Sequence, residues 1–216
     1  MDADYSLELG PLAPALEIPW HDPEARLQYV ELRGDPDSAD RDALRIDALR
    51  INIARIPEAR QFPALGRFLI AVNSPPSHWQ SAKCDVWPDD TDAAENLYDR
   101  GFEQSSYVDL VLAGQAAAWR PSLEVHQRLA RELAQLLETN ATLEATADIV
   151  VRRCYFHPRG KAADSDAGYC LTLFLSAYGS SPAEADACWE RAIDFVTECV
   201  LKLGPHEGCA KAQELS

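Results

Sequence analysis

Apolar positions from residue 107 onward switch between a period of two and a period near 3.6, and each switch marks an element. Tyr107-Val108-Asp109-Leu110-Val111-Leu112-Ala113 predicts a strand. Pro121-Ser122 opens a helix whose inner stripe is Leu123, His126, Leu129, Ala130, Leu133, Leu136 and Leu137, ending near Thr139-Asn140. Asp148 to His157 and Gly168 to Tyr178 predict a hairpin around the polar run Pro158 to Asp166. The second arm is apolar on nearly both faces, so it belongs in the middle of a sheet. The last helix has the sharpest limits. Ser181-Pro182-Ala183-Glu184 is a capping box with proline at the first helical position, and Gly204-Pro205 is a stop. Between them Ala185, Cys188, Trp189, Ala192, Ile193, Val196, Cys199, Val200 and Leu203 form one broad apolar face, predicted to lie on the strand ending at Tyr178.

Residues 1–106 have a weaker pattern. Leu49-Arg50-Ile51-Asn52-Ile53-Ala54-Arg55-Ile56 alternates like a half-buried strand, with a short helix over Ala43 to Leu49 leading into it. Arg67 to Asn73 and Lys83 to Trp87 predict two more strands around Ser74-Pro75-Pro76-Ser77. Residues 88 to 105 read as a connection, and the tail after Gly204 as frayed. The fold class expected is α+β, a mostly antiparallel sheet with helices packed on one face. The order strand, helix, strand, strand, helix over residues 107–203 resembles a ferredoxin-like half, a superfold that hosts many functions. Two organisations stay open: one compact unit over 1–216, or two lobes at 1–87 and 107–203.

Charge narrows the function classes. The 216 residues carry 35 Asp and Glu against 20 Lys and Arg, a formal net charge of -15. Such a surface repels phosphate backbones and anionic lipid and attracts basic proteins or cations, although acidity also serves solubility. Arg152, Arg153, Arg159 and Lys161 cluster around one hairpin but are too few for a phosphate-tracking stripe, so neither nucleic acid nor membrane is expected as a partner. Acids stand in Met1-Asp2-Ala3-Asp4-Tyr5 where a secretory signal would be basic, and no apolar run is long enough to span a bilayer. A cytoplasmic location is expected, with the six cysteines free and mostly in the core.

Candidate chemistry is sparse. The five histidines and six cysteines show neither Cys-x-x-Cys nor His-x-x-x-His spacing, and Cys154 and His157 would point to opposite faces of a strand. Gly-x-Ser-x-Gly and glycine-rich phosphate loops are missing from the sequence, and Asp89-Asp90-Thr91-Asp92 lacks the central glycine of a calcium loop. No cofactor or metal is expected. Asp35, Asp37, Asp40, Asp42 and Asp47 alternate with Arg41 and Arg45 as a solvated face.

One acidic segment differs. Asp85, Asp89, Asp90, Asp92, Glu95, Asp99 and Glu103 share it with Arg100 alone, and Trp87, Leu97, Tyr98 and Phe102 are interleaved. Aromatic anchors beside steering charges are the composition of a recognition surface. The candidate partner-binding set is Asp85, Trp87, Asp89, Asp90, Asp92, Glu95, Tyr98, Asp99 and Glu103; the alternative is a solvated connection whose aromatics turn into the core. With this segment and the mixed architecture from Tyr107 to Leu203, the chain resembles a bacterial immunity protein of the type VI secretion or polymorphic-toxin kind. That resemblance implies a cytoplasmic, non-catalytic inhibitor that plugs a cognate toxin, often a basic nuclease, with an acidic surface. Two other classes stay open: an effector chaperone or adaptor with an apolar groove, and an enzyme assembled from Cys154, His157, Asp148 and Tyr155.

Overall fold

The computed structural model describes residues 1–21, 29, 32, 42–90, 96–157 and 165–205. In chain order its elements are strands β1 (Asp2–Glu8) and β2 (Leu16–Ile18), helices α1 (Asp42–Ile53), α2 (Pro57–Gln61) and α3 (Pro63–Asn73), strands β3 (Trp79–Asp90) and β4 (Phe102–Leu112), a 3-10 segment Gly114–Trp119, helix α4 (Leu123–Glu138), strands β5 (Ala145–Phe156) and β6 (Asp166–Gly179), and helix α5 (Pro182–Lys202). The strands join in one mixed sheet ordered β1-β5-β6-β4-β3, with β2 also on β5. β3, β4, β6 and β5 pair antiparallel in turn, while β1 and β2 lie in tandem along β5, parallel to it. The architecture is therefore α+β with a mostly antiparallel sheet, as expected. The parallel edge is the addition. Its sign in the sequence is the alternation of Ala3, Tyr5 and Leu7 with Asp2, Asp4, Ser6 and Glu8.

Alternation builds the core. Ile149 and Val151 of β5, Leu171, Leu173 and Leu175 of β6, and Val108, Leu110 and Leu112 of β4 share one buried cluster with Phe68 and Leu69 of α3, Leu129, Leu133 and Leu137 of α4, and Trp189, Ile193 and Val196 of α5. The described helices thus bury their apolar residues on one face of the sheet, α4 against β1 and β5, α5 against β6 and β4, α3 against β3 and α5. α5 is held at its start by the serine half of the expected box, Ser181 Oγ accepting from the Glu184 N–H at 3.3 Å, while Glu184 Oε2 accepts at 2.9 Å from the N–H of Ser180, one residue before the cap. Trp189 is fully buried, edge-on to Phe62 at 5.7 Å, and its indole N–H donates to Ser106 Oγ at 2.9 Å. Where β6 turns into α5 the backbones nearly touch: a Cβ on Gly179 would stand 2.3 Å from the Ala185 nitrogen.

Three expectations are corrected. Leu49 to Ile56 is not a strand, because α1 runs through Ile53; only Leu49 and Ile53, four apart on one helical face, are buried, while Ile51 is 65% exposed. Arg67 to Asn73 is the body of α3, a helix buried at Ala64, Leu65, Gly66, Phe68, Leu69, Val72 and Asn73. A short apolar run does not tell a buried strand from a buried helix; Pro63 at the first helical position was the deciding residue. Residues 88 to 105 are not a mere connection, because β3 extends to Asp90 and β4 begins at Phe102. Pro88 fits there because β3 is an edge strand. The ladder between β3 and β4 is interrupted once, by a bulge between Ser81 and Lys83. The loop residues 158–164, the tail from His206, and Asp35, Asp37, Asp40 and Arg41 lie outside the described residues.

Candidate functional site

The side chains that alternate away from the helices form a second face, and it is polar and aromatic. The registers align Asp4, Asp148, Phe174, Tyr107 and Asp85 in one row across five strands, with Asp2, Thr146, Ser176, Ser105 and Trp87 in the next. Near the bulge this face is covered: Ile18 packs with Val111, Cys154, Phe156 and Cys170, Tyr29 against them, and the Trp20 indole N–H donates to the Ala82 carbonyl at 2.8 Å. The opposite half is open. Trp87 is 36% exposed, Tyr107, Phe174 and Tyr178 are half-buried, and Asp2, Asp4, Asp85, Asp89 and Asp148 are exposed around them.

The rings form a continuous line. Trp87 and Tyr107 have centroids 6.3 Å apart, Tyr107 and Phe174 6.0 Å, and the Arg152 guanidinium carbon lies 5.3 Å from the Phe174 centroid. Arg152 is fixed by Glu8, whose Oε2 accepts from Nε at 2.8 Å, and by Thr172 Oγ1 at 3.4 Å. Thr172 in turn donates to Asp109 Oδ1 at 2.5 Å. Asp109 is only 6% exposed, and burial raises its carboxyl above the ordinary 3.8, against the Thr172 hydrogen bond and the charges of Arg152 and Lys83. Burial, then the carboxylates of Asp109 and Asp85, also raise the Tyr107 hydroxyl; burial, then Asp4 and Asp2, raise Asp148. Beside the row a cavity of about 490 Å³ opens between β3 and the turn before α2, its walls including Trp20, Arg55, Glu58, Lys83, Asp85 and Tyr107.

Of the nine residues singled out from the sequence, Asp85, Trp87 and Asp89 stand on this face along β3, and Glu103 lies opposite Asp89 on β4. Glu103 is half-buried and takes a 2.5 Å hydrogen bond from Ser105 Oγ. Tyr98 is half-buried beside Tyr178 of this face: its hydroxyl donates to the Ala145 carbonyl at 2.8 Å and the two ring centroids lie 5.4 Å apart. Asp99 is exposed in the turn before β4, in a left-handed conformation at φ 52°. Asp92, Glu95 and the side chain of Asp90 lie outside the described residues. Missed from the sequence were Tyr107, Phe174 and Tyr178, together with Asp2, Asp4 and Asp148. Their signal was the phase of the strands, since Thr172, Phe174, Ser176 and Tyr178 alternate with Leu171, Leu173, Leu175 and Ala177.

The assembled-enzyme set is not brought together. Cys154 is fully buried beside Cys170, whose thiol that neighbour and then burial push up; His157 Nε2 lies 3.7 Å from Glu17 Oε2; Asp148 is on the open face. Cys84 is pushed up to about 12, mainly by burial and further by the carboxylates of Glu58, Asp85 and Asp109, so its thiol stays protonated at neutral pH. Among the described residues no three His, Cys, Asp or Glu side chains form a metal-binding group, and no helix is long and apolar enough to cross a membrane. Compared with family models, with curated proteins and with solved structures, the chain finds no match.

Proposed function

We propose that this is a non-catalytic binding protein that engages a basic partner protein through the open half of its sheet, and that it acts as an immunity protein neutralising a cognate toxin. The observation that carries the proposal is the contiguous line of exposed Trp87 and half-buried Tyr107 and Phe174 inside a rim of exposed Asp2, Asp4, Asp85, Asp89 and Asp148. Rigid aromatic side chains supply contact area at low entropic cost, while rim carboxylates accelerate encounter with a basic surface and disfavour acidic ones. The finer fold reading belongs to the same proposal. β4 and β5 run the same way on either side of β6, with α4 joining them, an order that supports a ferredoxin-like half. A cytoplasmic location fits the free thiols of Cys84, Cys154, Cys170, Cys188 and Cys199.

The test begins with capture of a basic protein from the native cytoplasm and continues with that partner purified. Reversing Asp85, Asp89 and Asp148 to lysine should slow association and flatten its salt dependence, while Trp87→Ala should mainly speed dissociation. Cells producing the partner should lose protection in step with affinity. Association rates indifferent to salt and to the triple reversal would remove this face from the interface.

A further inference from the structure

Resting on the basic-partner reading and narrowing it, we infer that the group this face recognises is an arginine guanidinium of the partner, seated against the Trp87 and Tyr107 rings with Asp85 as its carboxylate. The face already holds one guanidinium in this way. Arg152 lies over the Phe174 ring at 5.3 Å, is held by Glu8 Oε2 at 2.8 Å, and donates to the Thr172 hydroxyl at 3.4 Å: one ring, one carboxylate, one hydroxyl. Two of the three kinds recur toward β3, rings and a carboxylate, while the nearby Ser105 hydroxyl is buried and bonded to Glu103 and Ser176. Tyr107 pairs with Phe174 in the register, and Asp85 stands directly opposite Tyr107, exposed, with Oδ1 accepting from the Val86 N–H at 2.8 Å and Oδ2, among the described residues, left for a partner. Trp87 and Tyr107 are tilted at 53° to each other, so a planar cation laid on one ring meets the other at its flank.

Sign and shape both select the occupant. Burial first, and then the carboxylates of Asp109, Asp85 and Glu58, raise the Tyr107 hydroxyl, an environment that disfavours an anion. A guanidinium is planar, weakly hydrated and able to pair with a carboxylate through two parallel N–H bonds, whereas an ammonium is a compact, strongly hydrated charge that loses more on a half-buried ring. The cavity of about 490 Å³ shares Tyr107 and Asp85 with the row; Arg55 and Lys83 also line it, so it offers room to the aliphatic stem of the incoming residue and not to its charged head.

Octa-arginine and octa-lysine, equal in length and charge, test this by calorimetric titration into the full chain at about 150 mM salt. Arginine should bind about 10-fold more tightly, the scale of a desolvated cation–π contact. Trp87→Ala should close that gap to about two-fold while leaving octa-lysine nearly unchanged, and the indole N–H resonance lost in Trp87→Phe should be the one octa-arginine shifts most. Equal affinities, both falling with Asp85→Asn and Asp89→Asn, would overturn the arginine assignment and leave the basic-partner reading standing. No binding of either peptide would overturn both. A preference for arginine that survives Trp87→Ala would place the guanidinium elsewhere and overturn the site. An unchanged melting temperature in each variant shows that the fold is intact.

Discussion

The two faces of the sheet are made by the same strands and obey different physics. On the helix side Leu171, Leu173 and Leu175 meet α5 and are buried because apolar area gains by leaving water, at roughly 25 cal/mol per Å². On the other side the intervening Thr172, Phe174 and Ser176 sit among hydroxyls, carboxylates and rings, held by a hydrogen-bonded line from Glu8 through Arg152 and Thr172 to Asp109. Half-exposed rings gain little stability where they stand. They are costly to a monomer unless something covers them, which makes this the face to interrogate for binding and the other the face to interrogate for stability.

The largest expected effect is the contrast between two tryptophans. Trp189→Ala should destabilise by roughly 3–5 kcal/mol through the cavity it leaves and the lost hydrogen bond to Ser106, while Trp87→Ala should lie within about 0.5 kcal/mol of the parent, as surface changes do. Urea unfolding of both variants measures the gap, and similar losses would abolish the distinction. Next comes Gly179→Ala, which forces a Cβ against the Ala185 backbone nitrogen and should cost about 1–3 kcal/mol by overpacking, again read from urea midpoints.

Acid dependence separates the faces more finely. Asp109 has its carboxyl raised above 3.8, mainly by burial, so in the window above that value the folded chain retains a proton that the unfolded chain has released. Its contribution is therefore favourable in acid and is lost as pH rises through the folded value. His126, in α4, works in the opposite sense. Its Nδ1 lies 2.8 Å from the Ser122 carbonyl, and burial lowers it below 6.5. Its penalty is absent above 6.5 and grows as pH falls from there toward the folded value. Asp109→Asn should remove the first slope and His126→Gln the second in stability measured against pH; a profile unchanged by either would mean the buried groups do not titrate as their surroundings dictate. The smallest effect expected is none at all: Cys154, Cys170, Cys188 and Cys199, all buried, should resist a thiol reagent until the protein unfolds.

The covered face was readable because period and punctuation agreed there. Ser181-Pro182 and Gly204-Pro205 bracket α5, Ser122 caps α4 by accepting from the Val125 N–H at 3.3 Å, and both helices carry wide apolar stripes. α3 was misread because its Phe-Leu-Ile-Ala-Val run is buried on too many sides to show a helical period. The open face was read only along β3. Asp85, Trp87 and Asp89 stand close together in the chain, but their neighbours Tyr107, Phe174, Asp148 and Asp4 come from strands far apart in sequence, and only the registers bring them into line. Tyr98 shows the limit of composition: that its ring packs on Tyr178 and its hydroxyl bonds the Ala145 carbonyl depends on strands far away in the chain.

The bulge near Ala82 acts as a phase shifter for everything that follows it on β3. Before it, odd-numbered Trp79 and Ser81 face the helices, Ser81 exchanging hydrogen bonds with Asn73; after it, the even-numbered Cys84 and Val86 do so, and Asp85, Trp87 and Asp89 are delivered to the open side. The bulge absorbs one extra residue, so the pairing with β4 stays in phase and only the parity of the inward-facing positions changes. A lineage that lost that residue would keep Ser81 toward the helices and Lys83 toward the open side, and the ladder would run without interruption. A one-residue insertion that no such bulge absorbed would instead turn Asp85, Trp87 and Asp89 toward the helices.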